Sequence, residues 1–150
     1  MTVKTVVIMR GTSGSGKSTY ISKHLAGALV CSADHFFHKD DGSYEFDVRK
    51  LGAAHEACKR KFKKALKQGE PLVVVDNTNT KMWEMKPYIM AARHAGYELE
   101  FVRMDTPVEV AAARNVHGVP QEAVQKMADR MQELPDDLAR KEKVVEGVSR

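Results

Sequence analysis

Eight consecutive residues near the amino terminus form a complete G-x-x-x-x-G-K-S motif: Gly11, Thr12, Ser13, Gly14, Ser15, Gly16, Lys17 and Ser18. Glycines at this spacing let backbone N–H groups turn inward around a polyphosphate. Lys17 adds a positive charge for the terminal phosphates, and the hydroxyl of Ser18 can ligate Mg²⁺. The motif follows a strand-like run, residues 5–9, and precedes a helix-like stretch, as this chemistry requires. The motif and the adjacent Thr19 are therefore predicted to bind a nucleoside triphosphate and Mg²⁺.

Two aspartates follow apolar runs that read as buried strands. Asp34 lies just past residues 28–32, and Asp76 directly follows residues 71–75. Because ligands of open parallel sheets lie beyond the carboxyl ends of the strands, both carboxylates are expected beside the motif. Asp34 is the predicted general base of a phosphoryl transfer, with a loop-capping aspartate as the alternative. Asp76 is predicted to orient the Mg²⁺ shell or Ser18, with a contact to the acceptor hydroxyl or a turn-forming role as alternatives.

A helix–loop–helix pattern, residues 106–134, has the form of a lid over the phosphates. Residues 106–109, Thr-Pro-Val-Glu, predict a helix start with a capping box and proline at the first helical position. Arg114 and Arg130 flank the short loop 116–119 and are predicted to contact the nucleotide, Arg114 in a catalytic role together with Lys17. His117 is predicted to donate a hydrogen bond in the same place. A solvated surface position is the alternative for each arginine.

Short apolar runs alternate with segments of helical period, which predicts an α/β fold with a parallel sheet flanked by helices. An apolar stripe after Asp47, the expected helix cap, predicts a long helix that ends at Gly69. Pro87 requires that the helix predicted for residues 82–95 begins later or bends. We expect one domain over residues 1–134, and a tail, 135–150, with a short helix or an edge strand at 144–145. The predicted strands are 3–9, 28–32, 71–75 and 98–104, and the stripe is Val48, Leu51, Ala54, Cys58, Phe62 and Leu66.

The bulk composition of the 150 residues is that of an ordinary globular domain, with 43% hydrophobic and 29% charged residues. No export signal and no membrane-length apolar run is present, so a cytoplasmic location is expected, with a nuclear one left open. The net charge of +4 permits a polyanionic partner. The two cysteines, Cys31 and Cys58, occupy apolar positions and are expected to be buried thiols. Nothing in the sequence predicts an oligomeric state.

Three further features have weaker functional interpretations. The basic run 59–64 is expected to be a solvated helix face, with a nucleic-acid patch as the alternative. His35 and His38 lack further ligands at metal spacing, which disfavours a zinc site. Trp83, with Tyr44 and Phe36, has the chemistry to stack on a nucleobase, and packing in the core or at its rim is the alternative.

Seven segments, taken in order, resemble the P-loop kinase domain of the NEDD4-binding protein 2-like family: 11–18, 32–34, 41–47, 54–55, 76–80, 83–88 and 114–120. More distantly, the chain is similar to the kinase domain of phage polynucleotide kinase, which transfers the γ-phosphate of ATP to a 5′-hydroxyl of DNA or RNA. The resemblance implies a P-loop kinase-type three-layer sandwich with four to five parallel strands and a short helical lid. It also implies that Asp34 is the general base and Asp76 an active-site carboxylate. The phage enzyme has an arginine three residues after its catalytic aspartate, where this chain has Phe37. Its lid arginine lies directly before a glycine, where this chain has His117.

These observations favour an ATP-dependent kinase that acts on a hydroxyl of a nucleic acid, DNA or RNA, with a polynucleotide 5′-hydroxyl as the preferred acceptor. A hydroxymethylated base in DNA, or the hydroxyl of a small nucleoside or sugar, is the alternative acceptor. A nucleotide-dependent switch or binding module is the alternative of another class. The guanine-specific N-K-x-D string is absent from the sequence, which favours ATP over GTP.

Overall fold

A five-stranded parallel sheet forms the centre of the protein. The computed structural model describes residues 3–115 and 117–147. Four parallel pairings join the strands in the order β2-β3-β1-β4-β5, so their carboxyl ends meet at one edge of the sheet. The strands are β1 (Thr5–Arg10), β2 (Leu29–Cys31), β3 (Leu72–Asp76), β4 (Glu98–Asp105) and β5 (Glu142–Glu146).

Helices cover both faces of this sheet and complete a three-layer α/β sandwich. Two short 3₁₀ turns, Ala33–Phe37 and Val48–Lys50, lie between β2 and the first long helix. The predicted α/β class with a parallel sheet of four to five strands is confirmed. The role of residues 106–134 as a lid stays a prediction. The helices are α1 (Lys17–His24), α2 (Leu51–Lys67), α3 (Met82–His94), α4 (Val108–Arg114), α5 (Gln121–Arg130) and α6 (Asp136–Ala139).

Alternate residues of β1 belong to two separate cores. Val6 and Ile8 pack in the larger core, which buries the apolar sides of α2 and α3. Val7 and Met9 pack in the smaller one, with Ile21 of α1. Because successive side chains of a strand point to opposite faces, the apolar run Val6–Met9 within β1 is what a doubly covered sheet requires.

The start of α2 differs from the prediction. Asp47 caps the 3₁₀ turn Val48–Lys50, where its carboxylate accepts from the N–H of Arg49 at 3.0 Å, and α2 begins only at Leu51. Val48 and Leu51 are exposed, although both were assigned to the buried stripe. A 3₁₀ turn has about three residues per turn, so it moves Val48 off the face that α2 buries. The rest of the stripe is buried as predicted.

The helix α3 begins at Met82 and includes Pro87, so the later start considered for it is wrong. Glu84 fixes this start, because its Oε1 accepts from the N–H groups of Thr80 and Lys81 at 2.7 and 3.0 Å. These bonds satisfy donors that the first turn of a helix leaves free. The sequence signal for this cap is the acidic side chain within the first turn.

The tail after residue 134 supplies α6 and β5. Residues Val144 and Val145 lie in β5, in register with Arg103 and Met104 of β4. The domain boundary at residue 134 stays a prediction. Cys31 and Cys58 are buried and free, as expected, and burial raises the pKa of Cys31 to about 12. Within residues 3–115 and 117–147, no helix combines the length and hydrophobicity that a membrane crossing needs.

Candidate active site

The G-x-x-x-x-G-K-S motif forms a loop that connects the carboxyl end of β1 to the first turn of α1. Gly14 and Gly16 have φ angles of 78° and 104°, which L side chains rarely adopt. A Cβ built on Gly14 would overlap the carbonyl oxygen of Ala111 in α4. Glycine at this position therefore lets the predicted lid approach the loop closely.

Lys17 is the first residue of α1 and is half-buried beside the loop. Its ammonium donates to the carbonyl oxygens of Gly11 and Thr12, both at 2.9 Å. Burial lowers the pKa of Lys17, and the negative charges of Asp76 and Asp34 oppose that shift. The ammonium is thus within electrostatic reach of both carboxylates that the sequence singled out.

Asp76 ends β3 beside the loop and is half-buried. Burial raises the pKa of its carboxyl, the charge of Lys17 lowers it, and the charge of Asp34 raises it further. The next residue, Asn77, was missed by sequence reasoning. Its Oδ1 accepts from the N–H of Ala33 at 2.9 Å and so ties the end of β3 to the turn that carries Asp34.

Asp34 projects from the 3₁₀ turn Ala33–Phe37, with its side chain 54% exposed. The hydroxyl of Ser32 caps this turn by accepting from the N–H of Asp34 at 3.2 Å. The hydroxyl of Tyr44 donates to Oδ1 of Asp34 at 3.3 Å. Burial, and next the charge of Asp34, raise the pKa of Tyr44 to about 12, so its hydroxyl keeps its proton at neutral pH. The carboxylate of Asp34 is therefore accessible to solvent, and the Tyr44 hydroxyl that donates to it stays protonated at neutral pH.

His117 lies close to Asp34, and its Nδ1 is 3.8 Å from Oδ2 of the Asp34 carboxylate. Its ring stacks on Tyr44 with centroids 3.8 Å apart and planes 10° from parallel. The predicted hydrogen bond from His117 to the nucleotide stays a prediction; the described contacts connect this residue to the general base candidate. The stack joins the loop around Tyr44 to the predicted lid.

The turn between α4 and α5 is held by Asn115. Its Nδ2 donates to the carbonyl oxygens of Ala112 and Val119, and its Oδ1 accepts from the N–H of Val119. Val116, which the predicted lid loop includes, lies outside the described residues. The Asn115 bonds give the turn a defined form between the two helices.

Thr106 does not form the predicted capping box. Its hydroxyl donates to the carbonyl oxygen of Ser15 at 2.8 Å, and α4 begins at Val108 without a side-chain cap. In a capping box this hydroxyl would accept from a backbone N–H of the first helical turn, whereas its described contact is with the phosphate loop. Thr106 thus links the start of the predicted lid directly to the motif.

The two lid arginines have different surroundings. Arg114 donates to the carbonyl oxygen of Gly147, and its Nη2 lies 3.9 Å from the position of a Cβ on Gly16. Arg130 is exposed at the end of α5 and forms no hydrogen bond or ion pair within the described residues. The structure therefore brings Arg114 to the motif, whereas the nucleotide contact of Arg130 stays a prediction without a described contact in its support.

Arg10, which sequence reasoning missed, is fully buried directly before the loop. Its guanidinium donates to the carbonyl oxygens of Asn79 and Gln132 at 2.9 and 2.5 Å, and to the carboxylate of Glu142 at 2.9 Å. Burial lowers the pKa of Arg10, and its hydrogen bond and ion pair with Glu142 oppose that shift. The sequence signal that could have identified Arg10 is a single cation at the end of an apolar strand, immediately before Gly11.

The residues present fit a triphosphate and a divalent cation. No side chain caps the amino terminus of α1, whose N-cap is Gly16. The hydroxyls of Thr12 and Ser15 are buried without a hydrogen-bond partner in the part of the chain that the structure describes. Free helix N–H groups and Lys17 suit phosphate oxygens. The exposed hydroxyl of Ser18 and the carboxylate of Asp76 are oxygen ligands of the kind that Mg²⁺ prefers.

Comparisons with known proteins identify the family and the fold. Human NEDD4-binding protein 2 is 36% identical over 136 residues, which cover 85% of this chain and 8% of that protein. A structure of the Pnkp1/Rnl/Hen1 RNA repair complex matches 88% of this chain and 45% of its own chain, with a TM-score of 0.69 and 17% identity. A gluconokinase from Sinorhizobium meliloti 1021 matches 100% of this chain and 86% of its own, with a TM-score of 0.66 and 18% identity.

The family resemblance read from the sequence is confirmed by these matches. The chain spans less than a tenth of the human relative, so it corresponds to one segment of a far longer protein. The solved structures are distant in sequence and support the P-loop kinase-type fold. The AAA domain family matches residues 6–134, which include the phosphate loop, both aspartates and the helical hairpin. The chain therefore belongs to the AAA domain family, with a P-loop kinase-type fold.

Proposed function

We propose that this protein is an ATP-dependent kinase that transfers the γ-phosphate to a hydroxyl of a nucleic acid, with a polynucleotide 5′-hydroxyl as the acceptor. The observation that carries the proposal is the convergence of Lys17, Asp34 and Asp76 at the carboxyl edge of the sheet. The charges of both aspartates act on the pKa of Lys17. A cation with two carboxylates of different exposure suits a transfer that needs one metal ligand and one base.

In the proposed reaction, the acceptor hydroxyl gives its proton to the carboxylate of Asp34. The oxygen of the acceptor hydroxyl bonds to the γ-phosphorus. At the same time the bond between that phosphorus and the β–γ bridging oxygen breaks, and ADP leaves. Lys17 and Arg114 stabilise the negative charge on the moving phosphoryl group. Asp34 suits the role of base because its side chain is exposed and its Oδ1 is oriented by Tyr44.

Ser18 and Asp76 would hold Mg²⁺, which neutralises charge on phosphate oxygens when it is bound. Asp76 suits this role better than Asp34, because it is half-buried next to Lys17. A buried carboxylate gains a compensating charge from a bound cation. The division of work between the two aspartates is thus argued from their burial.

A macromolecular acceptor is supported by the position of Asp34 at an open rim. The 5′ end of a polynucleotide can approach an exposed carboxylate such as that of Asp34 directly. The net charge of +4 favours a polyanionic acceptor. The fold is similar both to that of a chain in an RNA repair complex and to that of a gluconokinase. The fold alone therefore does not distinguish a nucleic-acid acceptor from a sugar acceptor, and the acceptor must be identified by experiment.

The decisive experiment incubates the protein with γ-labelled ATP, Mg²⁺ and a panel of acceptors. The panel contains 5′-hydroxyl RNA, 5′-hydroxyl DNA, a duplex with a hydroxymethylated base, free nucleosides and gluconate. We expect label at the 5′ end of an oligonucleotide and none after chelation of Mg²⁺. Label on a nucleoside or on gluconate would replace the proposed acceptor, and label found only in free phosphate would support a switch or an ATPase.

A further inference from the structure

A cavity of about 440 Å³ opens next to the 3₁₀ turn that carries Asp34. Phe36, two residues after Asp34 on the same 3₁₀ turn, forms part of its wall. The proposed transfer uses none of the side chains that line it. Six of these are Phe36, Phe37, Lys39, Phe46, Arg49 and Lys50.

Two phenylalanine rings in this cavity are exposed. Phe36 is 43% and Phe46 is 54% accessible to solvent, whereas Phe37 between them is 3% accessible. The ring of Phe37 contacts both, with centroid distances of 5.4 Å to Phe36 and 5.0 Å to Phe46. The buried ring thus fixes the positions of the two exposed ones. Exposed aromatic rings held in place are a platform on which a planar group can stack.

The charges at the mouth of the cavity suit a phosphate. Lys39 pairs with Glu45 at 3.0 Å and Arg49 with Asp47 at 2.9 Å, and both cationic side chains are more than half exposed. The Lys39–Glu45 pair is exposed at both ends and weak, so Lys39 exchanges partners easily, whereas Arg49 holds Asp47 through two parallel hydrogen bonds. Lys50 forms no ion pair in the part of the chain that the structure describes. The lining therefore carries one more positive than negative charge, next to two aromatic faces.

We propose that this cavity binds the base of the terminal nucleotide of the acceptor, by stacking on Phe36 and Phe46. This inference rests on the proposed function. The 5′-hydroxyl of the same nucleotide lies at Asp34, and the phosphate that follows it lies at Lys50. Every base has a π face, so the cavity selects for the presence of a base and tolerates its identity.

A nucleotide suits these residues better than a protein segment or a simple sugar. An apolar peptide side chain would satisfy the phenylalanines and leave Lys50 without a partner. A sugar offers hydroxyls, which gain little from two exposed phenyl rings. A nucleotide supplies both a planar apolar face for the phenylalanines and an anion for Lys50.

The test uses two oligonucleotides that differ only at the 5′-terminal residue. One carries a normal nucleotide and the other an abasic residue, and both have a free 5′-hydroxyl. We expect the wild-type protein to prefer the normal end in kcat/KM by about 5- to 150-fold, the usual range for one base on an aromatic side chain. In Phe46→Ala this ratio falls towards 1, and in Phe46→Tyr it is retained.

Met90→Ala is the control, because Met90 is a large exposed apolar residue on α3, 59% accessible. It is expected to keep the wild-type ratio. The melting temperature of each variant separates lost stacking from lost folding, and the exposed position of Phe46 predicts only a small shift.

Two results would overturn the inference and leave the proposed function standing. One is equal use of both oligonucleotides by the wild-type protein, and the other is an unchanged ratio in folded Phe46→Ala. If neither oligonucleotide is phosphorylated while a small hydroxyl compound is, the proposed function and the inference both fail.

Discussion

The phosphate-loop side and the acceptor side of the site are held in place by different kinds of contact. On the first side, the loop is fixed by backbone conformation, by the buried guanidinium of Arg10 and by the close approach of α4. On the acceptor side, Asp34, Phe36 and Phe46 are exposed and are positioned by neighbouring rings. Under the proposed function, nucleotide binding would be set by buried geometry, whereas acceptor choice would depend on a few exposed side chains.

Lys17→Ala on the loop side is expected to have the largest combined effect, because it weakens both ATP binding and transfer. The change removes the cation that faces the phosphates, and removal of one such charge-stabilising group typically costs about 10²–10³-fold in rate. We expect phosphoryl transfer to fall by about 10³-fold, with weaker ATP binding in equilibrium titration. Lys23→Ala, at an exposed position on the same helix, is the control. Unchanged ATP affinity in Lys17→Ala would contradict the assignment.

Asp34→Asn is expected to separate the two sides. Loss of a general base lowers the rate by about 10²–10⁴-fold. ATP affinity should stay within about 2-fold of the wild-type value, because Asp34 faces the acceptor in the proposed arrangement. Rapid-quench measurement of transfer and titration with ATP check the two parts. Asp40→Asn, at an exposed position six residues later, controls for loss of charge; normal turnover in Asp34→Asn would remove this residue from the mechanism.

A pair of glycine variants tests the geometric difference directly. Gly14 and Gly42 have φ angles of 78° and 88°, but only at Gly14 would a Cβ meet another part of the chain. Gly42→Ala should cost about 1–2 kcal/mol for the left-handed conformation and leave transfer within about 2-fold. Gly14→Ala pays the same conformational cost and must also displace Ala111 of α4, so we expect loss of transfer by at least about tenfold.

Thermal melts and initial rates of both glycine variants give the comparison. Equal effects of the two changes on the rate would show that close contact between α4 and the loop is unimportant for transfer.

The smallest effect is expected for Tyr44→Phe. The change removes the hydroxyl that donates to Asp34 and keeps the ring that stacks on His117. A net hydrogen bond of about 0.5–1.5 kcal/mol corresponds to a loss of about 2- to 12-fold in kcat. We expect KM for ATP to be unaffected. A steady-state comparison with Tyr20→Phe, a tyrosine of α1 on the other face of the sheet, checks that the effect belongs to the acceptor side.

The sequence predicted the parallel sheet and the positions of Lys17, Asp34 and Asp76, because each depends on local order along the chain. A strand, a glycine-rich loop and a helix in succession leave little freedom for their arrangement. The partners of Arg10 were beyond that reasoning, since Glu142 lies 132 residues away in sequence. No local pattern records such a contact.

Tertiary contacts and local turn geometry explain the remaining differences. Thr106 had a suitable spacing for a capping box, but its hydroxyl donates to Ser15 across the molecule. Asp47 had the right residue type for a helix cap and instead caps a 3₁₀ turn. Propensity describes what a residue does without tertiary contacts, and near the loop such contacts decide.

The bonds of Arg10 to Glu142 and of Arg114 to Gly147 determine which segment of the chain must be kept when the domain is fused to another protein. The family match ends at residue 134, whereas Glu142 and Gly147 lie beyond it. A fragment cut at the family boundary would lose β5 and with it the carboxylate that pairs with Arg10. The smallest portable unit therefore includes β5 and extends at least to Gly147.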